Sequence, residues 1–341
     1  MVALITHPVS RTSAREVLLI VSIDTEEDNW TPTRGRSTVE NIRELPRLER
    51  FFERLGVRAT YLTTYQVARQ RWAAEILLAA AGHAEVGAHL HPWNTPPLDE
   101  ALTPRHSMLK NLPAGLQHAK LECLTTTLAA VLGTPPVAFR AGRYGLGLAT
   151  VPALIRCGYR IDCSVTPFLS WADTDDGPNF IGAPLEAYRL GVRRDVGTPD
   201  PDGAVLEIPL SVGYSRLPFA VWNRVWRVLQ SPALRPLRLP GIASRSGLVT
   251  QTVLSPELAT VNEMLTLSRL LIERGVRHLQ LTWHSPSLRP GLSPFGTTAA
   301  HVEQLYARIE AYLDRLSTTA SVRFVTLSEA AVALHSANGS G

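Results

Sequence analysis

Lysine is nearly absent from this chain. Of its 34 Lys and Arg residues only Lys110 and Lys120 are lysine, and the arginines are scattered. A nucleic-acid surface needs clustered basic residues, so a formal net charge of +4 distributed this way argues against that class of partner and reads as genomic base composition. Cysteine is scarce too. Cys123, Cys157 and Cys163 make no CxxC pair and no even disulfide framework, which points to free or buried thiols in a reducing compartment. No run approaches the ~20 apolar residues of a membrane span. The first strong apolar run, VLLIVSID (Val17 to Asp24), lacks a signal peptide's basic start and cleavage site and ends in acids. The expectation is a cytoplasmic protein. There is no internal repeat and no low-complexity block. What remains is a globular composition, 45% hydrophobic and 19% charged, over 341 residues, enough for a full core.

Strands and helices alternate along the chain. VLLIVSID reads as a buried strand, followed by a helix that starts at Ser37-Thr38-Val39-Glu40 and carries apolar residues at Ile42, Leu45, Leu48, Phe51 and Phe52. Further strands are expected at Arg58 to Thr64, Glu85 to His89, Val137 to Phe139, Arg160 to Val165, Val205 to Ser211, His278 to His284 and Val322 to Thr326. Helices fall between them. Such alternation predicts a parallel α/β fold. About seven strands, with no glycine-rich phosphate fingerprint after the first, favour a barrel over an open dinucleotide-binding sheet. The turn-rich stretches near 172–203 and 212–255 read as excursions from a single domain spanning about 15–335.

In a parallel barrel the functional groups gather at the carboxyl ends of the strands. The first strand ends in SIDTEED, where Asp24 and Glu26 stand at alternate positions and face the same way. One can hold a metal while the other takes a proton; the plainer alternative is an acidic solvated loop. The third strand ends in HLH. His89 and His91 again share a face and lie close enough to bind one ion, and two imidazoles with a carboxylate make an open zinc site. Arg140 follows a buried apolar pair in FRAGRYG, so it needs a carboxylate partner such as Asp24 or Asp162. His284 ends LQLTWH, where a histidine at the mouth can donate a proton.

Taken in order, these segments resemble the motifs of the polysaccharide deacetylases of carbohydrate esterase family four. SIDTEED is similar to the first motif, GHAEVGAHLHP to the second and FRAGRYG to the third. IDCSV resembles the segment with a helper aspartate, and LTWHS the final leucine-x-x-histidine motif. The resemblance implies a distorted (β/α)7 barrel, a divalent metal (zinc above all) and release of acetate from an N-acetylated amino sugar. It implies Asp24 as general base, Glu26, His89 and His91 as metal ligands, and His284 as the acid protonating the leaving amine. It further implies that Arg140 holds Asp24 and that Asp162 tunes the charges. Leu281, Tyr144 and Trp93 would border the substrate, Leu281 at the acetyl methyl group. The chain departs from the family in spacing the histidines two apart, not four. It also replaces the usual Asp-Asp with Asp-Thr-Glu, which leaves the roles of Asp24 and Glu26 exchangeable and lets Glu27 or Asp28 intrude. Hydrolysis of a non-sugar amide, or a glycan-binding barrel without activity, are the other readings.

Without an export signal, an intracellular glycan intermediate fits better than a wall polymer. Residues 219–230 place Trp222, Val225, Trp226 and Leu229 on one helical face. With Arg216, Arg235 and Arg238 nearby, that face could rest peripherally on the inner membrane surface. Alternatively, the stripe packs on the barrel.

Overall fold

The computed structural model describes residues 16–28, 31–231, 234, 239–245 and 248–336. β1 (Val17–Thr25) is buried along its whole length, as expected of a central parallel strand. α1 (Leu45–Leu55) then leads to β2 (Ala59–Thr63). α2 (Tyr65–Ala68) and α3 (Arg71–Ala80) lead to β3 (Glu85–Leu90), and α4 (Ala114–Leu132) to β4 (Ala138–Ala141). Next come α5 (Val151–Arg156), β5 (Ile161–Asp162), β6 (Tyr188–Leu190), β7 (Val205–Glu207) and β8 (Val212–Tyr214). α6 (Phe219–Leu229), α7 (Leu239–Arg245), β9 (Gln251–Val253) and α8 (Val261–Glu273) precede β10 (His278–His284). The last elements are α9 (Ala299–Thr319), β11 (Val322–Val325) and α10 (Leu327–Ser336).

Seven strands pair in parallel in the order β10-β1-β2-β3-β4-β5-β7. The gap between β7 and β10 is bridged without a ladder: His278 Nε2 donates to Pro209 O at 3.1 Å, and Gln280 N to Ser211 Oγ at 2.9 Å. The result is a distorted (β/α)7 barrel. β11 pairs with the first half of β1, and β6 lies antiparallel on β7 within the 172–203 excursion. The 212–255 excursion forms a two-stranded sheet, β8 with β9, around α6 and α7.

Alternation along β1 sorts the interior from the outer layer. Leu19, Val21 and Ile23 pack with the helices. Leu18 and Ile20 join Leu62, Ala138 and Cys163 inside, with Leu327, Ala330 and Leu334 of α10 in the same cluster. Ser22 and Asp24 continue the inward series toward the mouth, so the interior changes from apolar to polar along the strand.

Two local expectations are corrected. The Ser37–Glu40 start signal does not cap its helix: the turn over Glu40–Glu44 has no side-chain cap of its own. Asp28 replaces it, accepting from Glu40 N at 2.7 Å, Asn41 N at 3.0 Å and Thr38 Oγ1 at 2.6 Å. The membrane-facing reading of residues 219–230 also gives way. Phe219 and Trp226 are buried in the main core, with Trp222 and Leu229 packed against it, so the apolar stripe is used in packing. Arg235 and Arg238 lie outside the described residues.

Candidate active site and metal centre

The mouth of the barrel holds a cleft of about 560 Å³, with Asp24, Glu26, His89, His91 and His284 among its lining residues and Trp93, Arg143 and Tyr144 beside them. Parallel register explains the convergence. Asp24 is the partner of His284 across β1 and β10, and His89 is the partner of Arg140 across β3 and β4.

Arg140 is fully buried, and each donor group is used. Nε donates to Cys163 O at 3.1 Å, Nη1 to Asp24 Oδ1 at 2.5 Å and Thr282 Oγ1 at 2.9 Å, and Nη2 to Ser22 Oγ at 2.8 Å. Burial alone would raise the Asp24 pKa, but the charges of Arg140, His89 and His284 outweigh it and hold the carboxyl below its ordinary value. Asp24 Oδ2 stays on the cleft side, 3.9 Å from His89 Nε2 and 3.8 Å from His284 Nε2.

Glu26, His89 and His91 turn three ligand atoms toward one point. His89 Nδ1 donates to Arg140 O at 3.1 Å, and His91 Nδ1 to Glu27 Oε1 at 2.7 Å. Neutral rings fixed this way present Nε2 lone pairs to each other across 3.0 Å. Glu26 Oε2 adds a third acceptor, 3.2 Å from His91 and 3.6 Å from His89. Three acceptors so close repel unless a cation or a proton lies among them. The donor set therefore fits a metal ion, and one with a site left open to substrate. A proton is the alternative occupant: although burial disfavours the charged ring, Glu27 and Glu26 push the His91 pKa up to about 10.

The closest approach depends on a glycine. A Cβ on Gly142 would stand 2.4 Å from His91 Cδ2 and 2.7 Å from Leu90 O. Trp93 stacks on the His91 ring, with the centroids 4.1 Å apart.

Two expected site residues lie elsewhere. Leu281 alternates with the inward Thr282 and His284, so it faces the helices and packs in the main core. Asp162 pairs with Phe139 in the β4–β5 register, and Phe139 lies in a helix-side cluster. Its carboxylate accepts from Ser164 N at 2.9 Å and Ser164 Oγ at 3.0 Å, and Glu207 is its other partner. Asp162 thus fixes the end of β5 and makes no hydrogen bond to Asp24 or Arg140, but its carboxyl still feels the charge of Arg140, the arginine that holds Asp24.

The acid partnered to His284 is one the sequence did not single out. Glu257, between β9 and α8, receives His284 Nδ1 at 2.8 Å and His284 N at 3.2 Å, and Ser287 Oγ also donates to it. Burial disfavours the charged ring, but Glu257, Glu26 and Asp24 together raise the His284 pKa to about 10. Glu27 orients His91 and receives Asn94 Nδ2 on the same oxygen. Asp28, by contrast, is spent on the Glu40 turn, so neither acid intrudes into the ligand set.

No family model matches the chain, and no curated protein matches it in sequence. Solved structures do match. One from Mycobacterium smegmatis, provisionally described as a polysaccharide deacetylase, aligns with a TM-score of 0.53 at 17% identity, covering 98% of this chain and 95% of its own. A second, from Parabacteroides distasonis and provisionally described as a glycoside hydrolase/deacetylase, gives 0.54 at 13% identity over 95% and 71%. A 4-alpha-glucanotransferase from Thermococcus litoralis gives 0.50 at 11% identity over 92% and 40%. The likeness is one of fold, which different chemistries share.

Proposed function

We propose that this chain is a member of the polysaccharide deacetylase family and a metal-dependent hydrolase that removes N-acetyl groups from an amino-sugar glycan or glycan intermediate. The observation that carries the reading is the convergence, in one cleft, of a Glu26–His89–His91 ligand set with Asp24 and His284, whose Oδ2 and Nε2 lie 3.8 Å apart and whose surroundings favour the charged form of each. The two deacetylase-described structures of the same fold support it.

When bound, a divalent cation supplies a Lewis acid that polarises the amide carbonyl and lowers the pKa of a water toward neutrality. Two imidazoles and a carboxylate are a donor set suited to zinc. The remaining work falls to the side chains. Arg140 ties Asp24 Oδ1 and leaves Oδ2 on the cleft side to take a proton from the attacking water. The water oxygen joins the acetyl carbon, the C–N bond breaks, and His284 Nε2 delivers a proton to the departing nitrogen. Glu257 holds Nδ1 of the same ring, which keeps Nε2 aimed into the cleft. The products are acetate and a free amine. Because Glu26 lies nearer both imidazoles than Asp24 does, Glu26 is assigned as ligand and Asp24 as base.

The test is acetate release from a panel of N-acetylated amino sugars and chito-oligosaccharides, with the protein stripped of metal and then reloaded with zinc. Metal-dependent acetate release supports the reading. A fully metal-loaded protein that releases acetate from none of them, but hydrolyses a non-sugar amide, would overturn the sugar assignment.

A further inference from the structure

The metal set adjoins a segment that is held from behind by one buried lysine. α4 brings Lys120 under residues 92–100, with its side chain fully enclosed. Nζ donates to Pro92 O at 2.8 Å, Thr95 O at 2.8 Å and Pro97 O at 2.6 Å, and lies 2.9 Å from Glu100 Oε2. The other Glu100 oxygen receives Arg34 Nη2 at 2.6 Å, and Arg34 Nε also holds Trp93 O at 3.0 Å. The segment fastened by these two cations carries the groups that fix His91. Trp93 stacks on the ring, and Asn94 Nδ2 donates to the same Glu27 oxygen that receives His91 Nδ1.

An ammonium suits this place for a physical reason. Its three donors radiate from one compact atom and can reach several carbonyls at once, whereas a guanidinium spreads its donors in a rigid planar fork. In a chain where nearly every basic residue is arginine, a lysine stands where several backbone oxygens meet at one point. Left without that cation, the three carbonyls and Glu100 Oε2 would face one another with no donor among them.

We propose that Lys120 is a positioning residue for metal binding. It anchors residues 92–100 so that Trp93, Asn94 and, through Asn94, Glu27 hold His91 Nε2 toward Glu26 and His89. The inference rests on the reading of Glu26, His89 and His91 as metal ligands.

The test is titration of the metal-free full-length protein with Co²⁺, followed by its visible absorption. Variants Lys120→Arg, Asn94→Ala, their combination and Lys110→Arg are compared with wild type. Lys110 fastens Asp176 O at 2.6 Å, on a different part of the rim, and serves as the control. Wild type and Lys110→Arg should bind one equivalent alike. Lys120→Arg and Asn94→Ala should each weaken cobalt binding about 10-fold or more, with an altered absorption band. The combination should be no weaker than the worse single variant. A natively folded Lys120→Arg protein with wild-type affinity and spectrum would overturn the proposal. If that variant does not fold, unchanged cobalt affinity in Asn94→Ala overturns it instead. Failure of wild type itself to bind cobalt removes the metal reading, and this inference with it.

Discussion

Arg140 Nη1 donates to Asp24 Oδ1 across 2.5 Å inside the barrel, with the arginine fully enclosed and the aspartate nearly so. A buried pair of this kind is costly to break from one side, because the survivor keeps its charge in a low-dielectric setting. Arg140→Met should therefore cost about 3–5 kcal/mol of stability, seen as a lower urea midpoint. Asp24→Asn behaves differently. Its amide oxygen can still accept from Nη1, which softens the loss of the counter-charge beside Arg140, so it should destabilise less than Arg140→Met, while acetate release by the folded protein falls by about 10²–10⁴ with the loss of the base. Near-normal turnover in Asp24→Asn would move the base assignment to another carboxylate.

The His284–Glu257 pair sets an expected pH dependence. With its pKa raised to about 10, His284 keeps its proton through neutrality and can act as an acid there. Activity should then fall on the alkaline side as the ring loses that proton. Glu257→Gln removes a negative charge that stabilises the imidazolium, so the alkaline limb should move down toward an ordinary histidine value of about 6.5. The check is the pH profile of kcat/KM for both proteins. An alkaline limb that stays in place would show that another group titrates there.

Much of this site was legible because a period of two is written into the strands. Asp24 with Glu26 and His89 with His91 each alternate, and the parallel register of β1 on β2 and β2 on β3 brings the two pairs to one end of the barrel. The same rule shows why Leu281 does not border the cleft and why Asp162 stands off it, acting on Arg140 only through its charge. Leu281 is one step out of phase with His284, and Asp162 shares its face with Phe139. Glu257 was not legible. It lies outside any strand, 27 positions from His284, and only the packing of the turn before α8 brings them together. Lys120 is hidden for a related reason, since a cation on a helix ordinarily reads as a solvated residue, and its acceptors are backbone oxygens of a distant segment.

Glu27 offers a test of how the imidazole is aimed. It is almost completely enclosed, and its Oε1 accepts a hydrogen bond from His91 Nδ1 at 2.7 Å. Glu27→Gln keeps the volume but weakens the acceptor and deprives the ring of a partner that raises its basicity. Metal affinity should fall about 10–100-fold, measured by competition with a chromophoric chelator. The wild-type protein should hold one metal per chain by elemental analysis, lose acetate release on chelation and regain it with zinc. Unchanged affinity in Glu27→Gln would mean that His91 is aimed by packing on Trp93 alone.

Gly142 separates a local steric demand from general stability. An added Cβ would sit 2.4 Å from His91 Cδ2, and the facing Leu90 carbonyl leaves no room to retreat. Gly142→Ala should displace the ring from the ligand set, weakening metal binding and acetate release together, with an overpacking cost of about 1–3 kcal/mol. Gly56 provides the contrast. It ends α1 at φ 66° with open space around its missing Cβ, so Gly56→Ala strains the backbone without touching the mouth. That variant should lose about 1 kcal/mol of stability while binding metal as wild type does. Paired measurements of unfolding and metal affinity decide the matter. If both substitutions lower stability and neither alters metal binding, the close contact between Gly142 and His91 has no part in shaping the site.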